Sequence, residues 1–291
     1  MNLIYYEFKR KKLKIGEIEL SILVKKHSDI IPSDTRSTIS KRYKTITKAI
    51  NREFWDSESE TSHSFYVGSY GRNTAISTSD IDILVEIPTE EFDRFSNLNG
   101  NGPSRFLQAV KSAIVSPYPN SDVKADGQVI KINFSDGIKF EIVPAFQNLD
   151  FWGDWDGTYI YPDSNMGGNW MSTNPKEELK AMKEKNSTSN GLLVATCRHF
   201  RYIRDNYFSS YHLSGIVIDS FVYVAMGNWQ YVDKGSSGQA SEGEYEEALL
   251  NYFNQHSFLG SINLNAPGSN QSVNTTNSFE CLKKVINKVV L

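Results

Sequence analysis

The sequence predicts an α+β protein with two lobes, a mixed β-sheet lobe over residues 33–175 and a helical lobe over residues 176–291. Short segments of alternating or β-branched apolar residues dominate the first half, whereas apolar residues recur at steps of three and four beyond Pro175. At 291 residues the chain is long enough to bury a substantial core in each lobe. A cleft between the lobes is the default ligand site of such an architecture.

The sheet lobe is expected to begin with an amphipathic helix after Pro32 and the N-cap candidate Ser33. Its apolar residues are Ile39, Tyr43, Ile46, Ile50 and Phe54. Strands are expected at "HSFYVGSY" and "SDIDILVEIP", followed by the loop "NLNGNGPS" and the helix "RFLQAVKSAIVSPYP", which ends near its prolines. Three further strand candidates are "SDVKADG", "QVIKINF" and "IKFEIVPAF", the last two joined by a hairpin-type "SDG" turn. This order predicts a mixed sheet with few helices.

The segment "FWGDWDGTYIYPDSNMGGNWMSTNP" is rich in aromatic residues and glycine, and we expect it to form a long ordered loop. Its residues Tyr159, Tyr161 and Trp170 are candidates either for stacking on a nucleotide base or for packing on the core beneath the loop.

The helical lobe is predicted from five segments of helical periodicity. They are "KEELKAMKEKN", "GLLVATCRHFRYIRDNYF", "IVIDSFVYVAMGNW", "YEEALLNYFNQHSF" and "SFECLKKVINKVV", with the polar loop "DKGSSGQASEGE" before the last two.

Composition and charge exclude several classes of protein. A net charge of −3 argues against a surface that binds nucleic acid by charge alone, and the basic run "KRKKLK" is expected to be a solvated tail. Cys197 and Cys281 form no CxxC pair and the five histidines lack ligand spacing, so neither a disulfide framework nor a zinc site is indicated. The most apolar segment, "GIVIDSFVYVAM", is short and is interrupted by Asp219 and Ser220. We therefore expect a cytoplasmic protein with no membrane association.

Two aspartates separated by one isoleucine lie in the strand candidate "SDIDILVEIP". Alternate side chains of a strand share a face, so Asp80 and Asp82 lie opposite an isoleucine face that can be core. Two carboxylates so placed repel each other unless a cation lies between them or they open onto solvent. Glu141 supplies a third carboxylate from a strand in which Phe140 and Ile142 can be buried. The three acidic residues predict a Mg²⁺ site for two-metal phosphoryl transfer, with Mn²⁺ as the alternative ion.

A Gly68-Ser69 turn precedes Asp80, with ten residues between Ser69 and Asp80. Glycine permits close backbone approach, and serine offers N–H and hydroxyl donors to the phosphates of a nucleotide. Arg72 is a candidate charge partner for a phosphate or for the acidic cluster. Each feature alone is common on protein surfaces, but the combination of Gly-Ser, Asp-x-Asp and a later acidic strand residue is specific.

This combination resembles the signature of the DNA polymerase β-type nucleotidyltransferase superfamily. A closer resemblance is carried by the segments "GSYGRNTAISTSDIDILV", "DGQVIKINFSDGIKFEIVPAF", "YPDSNMGGNWMSTNPKEE", "CRHFRYIRD" and "GIVIDSFVYV". With these segments the sequence resembles the bacterial cGAS/DncV-like nucleotidyltransferases (CD-NTases), the SMODS group of CBASS anti-phage signalling. The resemblance extends from about Ser33 to the C-terminal helices, and the segment "YPDSNMGGNWMSTNP" is most similar to the clade that makes cyclic GMP-AMP-type products.

The resemblance implies a two-lobed polymerase β-like fold with the active site in the cleft between the lobes. It implies that nucleoside triphosphates, ATP and GTP, bind there, with Gly68 and Ser69 at the triphosphate. Asp80 and Asp82 would hold both metals, and Glu141 would act on the metal that activates the attacking ribose hydroxyl; many relatives have Asp at this third position. Successive transfers would release pyrophosphate and close a cyclic nucleotide that acts on a separate effector protein, with no stable nucleic-acid partner.

The segment "CRHFRYIRD" carries Arg198, Arg201 and Arg204 at steps of three, so neighbouring arginines share a helix face. The resemblance implies that a basic residue of this helix contacts the donor triphosphate, and Arg201 is best placed for that role. A solvated basic face is the alternative interpretation.

Two other functions remain open from the sequence. A templateless transferase that adds nucleotides linearly to RNA ends would need a basic track for the acceptor strand, which a net charge of −3 does not suggest. A catalytically silent nucleotide or RNA sensor would be expected to lack metal ligands, whereas this chain has all three carboxylates.

Overall fold

The computed structural model describes residues 23–25, 27, 31–232 and 239–290. A seven-stranded mixed sheet organises the first half of the chain, in the order β1-β2-β5-β4-β3, with β6 paired to β5 and β7 paired to β6. The strands are β1 (Ser64–Tyr66), β2 (Ile81–Glu86), β3 (Asp122–Asp126), β4 (Val129–Asn133), β5 (Lys139–Leu149), β6 (Trp155–Asp163) and β7 (Asn169–Thr173). Strands β2 and β5 are parallel and the other pairs are antiparallel, which confirms the mixed sheet.

Within the described residues, four α-helices precede or lie among the strands in the first part of the chain, and five more follow the last strand of the sheet. They are α1 (Ser33–Phe54), α2 (Gly68–Gly71), α3 (Glu90–Ser96), α4 (Gly102–Val115), α5 (Pro175–Thr188), α6 (Leu192–Tyr207), α7 (Gly215–Ala225), α8 (Glu244–His256) and α9 (Phe279–Val290). Two small hairpins lie between α8 and α9, Ser257–Phe258 with Ser261–Ile262 and Leu264–Asn265 with Ser272–Val273. Ser33 is the first residue of α1 and Pro32 the cap position, so Ser33 does not serve as the expected N-cap.

The alternation of β2 divides its side chains between two apolar clusters. Ile81, Ile83 and Val85 pack in a large cluster with the apolar faces of α1 and α4. Leu84 lies in a small cluster on the other face, with Tyr159. One face of the sheet is therefore covered by helices, and the face that carries Leu84 is the face on which the aspartates were expected.

A second large cluster fills the helical half and contains residues from α5, α6, α7, α8 and α9. Val24, in the segment before α1, also belongs to it, and the Val24 N–H donates to Glu246 of α8 at 3.0 Å. The two large clusters have no residue in common. The lobe boundary near residue 175 agrees with this separation and stays a prediction.

The segment predicted as a long ordered loop is a β-hairpin, so that prediction is wrong. Strands β6 and β7 pair in antiparallel register from Tyr159↔Thr173 to Asp163↔Asn169. Of the glycines that suggested a loop, Gly157 lies inside β6. Pro162 is the penultimate residue of the same strand, a position near a strand end that tolerates proline.

Two aromatic residues of this hairpin, Tyr159 and Trp170, pack against other side chains. Tyr159 is buried, and its hydroxyl donates to the Glu86 carboxylate. The Trp170 ring lies 5.1 Å from the ring centroid of Phe92 and 5.8 Å from those of Phe106 and Phe146. For Tyr159 and Trp170 the structure favours packing over base stacking.

The short helices α2 and α3 were not predicted. The first turn of α3 carries Glu90, Glu91 and Asp93, whose charges favour a helix N-terminus. The basic run at residues 9–14 and the first half of the polar loop before α8, residues 233–238, lie outside the described residues. No helix in the described ranges is long and apolar enough to cross a membrane.

The hairpin assignment predicts that two tryptophans of the same segment contribute very differently to stability. Trp170→Ala should lower the free energy of unfolding by about 2–4 kcal/mol, because it removes the ring that packs on three phenylalanines. Trp152 is 82 % exposed at the β5–β6 turn, so Trp152→Ala should change it by less than about 0.5 kcal/mol. Urea denaturation followed by circular dichroism measures both, and equal effects would contradict the assignment.

Candidate active site

The parallel pairing of β2 with β5 places two of the predicted carboxylates side by side. Asp82 and Glu141 are direct register partners, flanked by the partners Ile81 and Phe140. Neighbouring strands lie about 4.8 Å apart, so the two side chains leave the sheet as close neighbours on one face. Both are partly buried, whereas Ile81 and Phe140 are fully buried on the other face. Asp80 immediately precedes β2.

Asp82 is held in an environment that opposes its negative charge. Burial raises the pKa of its carboxyl, and the charges of Glu141 and Asp80 raise it further. The Arg72 guanidinium and the Ser69 backbone N–H lower it, and the net result is a pKa of about 7. Glu141 and Asp80 are therefore both close enough to repel the Asp82 carboxylate; the sequence predicted this repulsion for Asp80 and Asp82.

The Gly68-Ser69 turn lies against the Asp82 carboxylate. Gly68 begins α2 with φ +57°, and a Cβ atom built on it would lie 1.9 Å from Asp82 Oδ2. The Val67 N–H donates to the Asp82 backbone oxygen at 2.9 Å. Only glycine meets both the left-handed φ and the close approach, so the turn and the carboxylate are fitted to each other.

A lysine beside Glu141 was missed in the sequence. Lys131 of β4 is the antiparallel register partner of Glu141, and its Nζ lies 3.6 Å from Glu141 Oε1 and 2.7 Å from Asp126 Oδ2. The alternation of "QVIKINF" places Lys131 between the buried residues Ile130 and Ile132, which was the available signal. Lys131 supplies a positive charge at the edge of the acidic site.

Arg72 does not project toward solvent, and its guanidinium is largely engaged by protein carboxylates. Its Nη1 donates to Glu178 Oε2 at 3.0 Å and its Nε to Asp219 Oδ2 at 2.9 Å. The side chain is nearly buried. Arg72 also lowers the pKa of Asp82, and its two predicted roles, as a charge partner for a phosphate or for the acidic cluster, stay predictions.

Arg201 is not on a solvated basic face, and the structure does not favour its predicted contact with a triphosphate. Its side chain is buried, with Nη1 and Nη2 donating to Asp219 Oδ1 and Oδ2 at 2.6 and 3.0 Å. Nη2 also donates to the Gly215 carbonyl at 3.1 Å. The Arg201 guanidinium would have to leave Asp219 to contact a triphosphate, and that would leave the Asp219 charge buried without a partner.

The neighbouring arginines of α6 are also engaged by protein groups. Arg198 donates to the His27 carbonyl and to Asn73 Oδ1, and Arg204 donates to Asp205 and to the Leu213 carbonyl. The interpretation of this helix as a freely solvated basic face is therefore wrong.

The three carboxylates form an open set of oxygen ligands that suits a hard divalent cation. The mutual repulsion of Asp80, Asp82 and Glu141 favours a cation among them. Within the described ranges, no group of three or more His, Cys, Asp or Glu side chains already stands in a metal-holding arrangement. Mg²⁺ is usually bound by one or two carboxylates together with substrate phosphates, so an open protein set matches its chemistry.

Residues 21–186, more than half of the chain, match the SMODS family, described as the Second Messenger Oligonucleotide or Dinucleotide Synthetase domain. The chain belongs to this family. The nucleotidyltransferases of this family use divalent metals. A cyclic AMP-AMP-AMP synthase from Acinetobacter sp. (strain ATCC 27244 / 9458) is 26 % identical to this SMODS protein over 181 residues. That alignment covers 61 % of this chain and 49 % of the synthase, so the chain matches about half the length of that relative.

Solved structures share the fold of this SMODS protein. The CdnE c-di-GMP synthase from Capnocytophaga granulosa has a TM-score of 0.60 and 17 % identity, covering 92 % of this chain and 82 % of its own. The Rhodothermus marinus CdnE c-UMP-AMP synthase has a TM-score of 0.59 and 16 % identity, with 95 % of each chain covered. A DncV mutant from Vibrio cholerae has a TM-score of 0.58 and 11 % identity, with 88 % and 84 % covered. The predicted α+β, polymerase β-like fold is confirmed.

Removing the Asp82 charge should stabilise the fold. The folded pKa of about 7 lies above the ordinary value of 3.8, so ionisation of Asp82 destabilises the folded state. This destabilisation grows as the pH rises from about 4 to 7. Asp82→Asn should therefore raise the free energy of unfolding by about 1–3 kcal/mol above pH 7, with the gain vanishing below about pH 4. Denaturant titrations in chelator-treated buffer across this range measure the difference.

The matched control is Asp126→Asn, the same chemical change at an exposed carboxylate whose pKa Lys131 lowers. This variant should show no gain at any pH. A loss of stability in Asp82→Asn above pH 7 would contradict the picture of a repelled, buried charge.

Proposed function

We propose that this protein is a nucleotidyltransferase that condenses nucleoside triphosphates into a cyclic oligonucleotide and releases pyrophosphate at each transfer. The observation that carries the proposal is the register pairing of Asp82 with Glu141 beside the Gly68-Ser69 turn. Membership of the SMODS family supports it. The names of the Acinetobacter and Rhodothermus relatives, both cyclic nucleotide synthases, point the same way.

The residues of the site would divide the work between phosphate and metal. Gly68 allows a triphosphate to approach the backbone, and the Ser69 hydroxyl would donate to its oxygens, while the Ser69 N–H faces the Asp82 carboxylate. Asp80, Asp82 and Glu141 would hold Mg²⁺, or Mn²⁺ in its place. When bound, the metal would neutralise phosphate oxygens and make the attacking ribose hydroxyl more acidic. Glu141, on the strand next to Asp82, would act on the metal that activates that hydroxyl.

We further propose ATP and GTP as substrates, a cyclic GMP-AMP-type product, and a cytoplasmic role in CBASS anti-phage signalling through a separate effector protein. The resemblance of the β6–β7 region to that clade supports the choice of bases. The compared proteins are named for products with three adenosines, two guanosines, or one uridine and one adenosine. An assay must therefore offer all four bases.

The test is incubation of the purified protein with all four ribonucleoside triphosphates and Mg²⁺ or Mn²⁺, followed by phosphatase treatment and mass spectrometry. An Asp80→Ala/Asp82→Ala variant serves as the control. We expect a phosphatase-resistant cyclic product that the control does not make, with masses that identify the bases. Phosphatase-sensitive linear products would instead favour a chain-extending transferase. Nucleotide binding without product under either metal would favour a silent sensor and overturn the proposal.

The fit between Gly68 and Asp82 predicts a large loss of activity from one methyl group. Gly68→Ala should lower the rate of product formation about 100-fold, because the new Cβ must displace the Asp82 carboxylate. Gly227 provides the matched control, since it has a similar φ of +50° and nothing within 4 Å of its Cβ position. Gly227→Ala should suffer the same backbone strain and keep its rate within about twofold. Equal losses in both variants would show that strain alone is responsible.

A further inference from the structure

One buried carboxylate receives hydrogen bonds from three residues that lie in two different parts of the chain. Asp219 of α7 is 0 % exposed. Arg201 of α6 donates to both of its oxygens, at 2.6 and 3.0 Å. Arg72 Nε and Thr74 Oγ1, both from the segment after α2, donate to Asp219 Oδ2 at 2.9 and 3.0 Å. Four donors on one carboxylate satisfy the oxygens of a fully buried charge.

The charges of this network balance. Arg72 also bonds Glu178 of α5 at 3.0 Å, so two guanidinium groups are matched by two carboxylates. Although burial opposes the ionised form, Arg201 and Arg72 hold the pKa of Asp219 below its usual range. Arg201 alone already neutralises Asp219 with a two-bonded pair. The bonds from Arg72 and Thr74 are additional, and they connect this pair to the sheet lobe.

The two residues that reach Asp219 also close the Gly68-Ser69 turn. The Thr74 and Ala75 N–H groups donate to the Ser69 carbonyl at 2.9 and 3.0 Å. The Arg72 N–H donates to the Gly68 carbonyl at 3.1 Å. A shift of Arg72 or Thr74 therefore moves the backbone of the turn, including Gly68, which lies against the Asp82 carboxylate.

We propose that Asp219 is a positioning residue for nucleotide binding: through Arg72 and Thr74 it holds the Gly68-Ser69 turn in the form that receives a triphosphate. This inference rests on the proposed function of that turn. Asp219 itself touches neither substrate nor metal. These hydrogen bonds make the Gly68-Ser69 turn of the sheet lobe depend on α7 of the helical lobe. Removing one of them should weaken nucleotide binding more than it lowers the stability of the fold.

Asp219 itself is a poor position for the test, because its loss would leave Arg201 buried without a partner. Thr74→Val keeps the shape and removes the hydroxyl, which donates to Asp219 Oδ2 at 3.0 Å and also lies 3.4 Å from the Ser69 carbonyl, whereas Thr74→Ser keeps the hydroxyl. Thr196 is the matched control: it is also 0 % exposed, and its Oγ1 bonds the Leu192 carbonyl and the Tyr245 hydroxyl, at 2.8 Å each. Thr196→Val thus removes a buried hydroxyl of α6 whose partners lie within the helical lobe.

Two readouts separate positioning from general stability. The first is the Kd for α,β-methylene ATP and α,β-methylene GTP in the presence of Mg²⁺, measured by calorimetry. The second is hydrogen exchange of the peptide spanning residues 68–76, measured in free protein. Thr74→Val should raise the Kd about tenfold, the effect of one lost buried hydrogen bond. It should also speed exchange of that peptide, while Thr74→Ser and Thr196→Val stay within about twofold of wild type on both readouts.

Arg72→Lys is a second, independent variant. A single ammonium keeps the charge but cannot reproduce the planar fork that bonds both Glu178 and Asp219. It should raise the Kd and speed exchange of the same peptide, in the same direction as Thr74→Val.

The outcomes distinguish this inference from the proposed function. If Thr74→Val and Thr196→Val give the same Kd and the same exchange, Asp219 is only structural and the inference is overturned. If wild-type protein neither binds the analogues nor forms product, the proposed function fails. The exchange measurement still decides the inference in that case, because unchanged exchange in Thr74→Val and Arg72→Lys would show that Asp219 does not hold the turn.

Discussion

The parallel pairing of β2 with β5 is the constraint on which the rest of the site depends. Because register partners of parallel strands leave the sheet side by side, this pairing brings Asp82 next to Glu141, although 58 residues separate them in sequence. The apolar partners Ile81 and Phe140 lock the register from the opposite face, since a slip by one residue would turn the core outward. Burial of apolar side chains on one face of the sheet thus stabilises a strand pairing that repulsion between the carboxylates on the other face opposes.

The acidic face is moderated by positive charges that are themselves held by the fold. Arg72 lowers the pKa of Asp82 from one side, and Lys131 lies beside Glu141 on the other. Arg72 is kept in place by carboxylates of two helices, Glu178 and Asp219. The electrostatics of the sheet lobe therefore depend on packing in the helical lobe, which explains why a site on β2 and β5 has its supporting contacts on α5 and α7.

The sequence allowed prediction of the features that follow from local periodicity. The isoleucines around Asp82 and the apolar neighbours of Glu141 show which faces are buried, so the pairing of these carboxylates was accessible. The setting of Arg201 was not, because a three-residue spacing looks alike on an exposed and on a buried helix face. Its partner had left a signal: Asp219 stood as an interruption in an apolar segment, and a charge in such a place usually has a buried partner. The β6–β7 hairpin was missed because a segment rich in glycine is typical of a loop when its partner strand is unknown.

An acidic site of this kind couples metal binding to nucleotide binding. Carboxylates that repel one another bind a cation more favourably than isolated ones, since the cation relieves the repulsion as well as gaining ligands. A set that is open on one side takes its remaining ligands from the phosphates of the nucleotide. The Gly68-Ser69 turn would hold those phosphates directly beside Asp82, so each of the two ligands would complete the site of the other. By linkage, an interaction that fixes the Gly68-Ser69 turn would strengthen the binding of the metal as well as that of the nucleotide. The hydrogen bonds of Arg72 and Thr74 to Asp219 would therefore also affect metal binding at the acidic site.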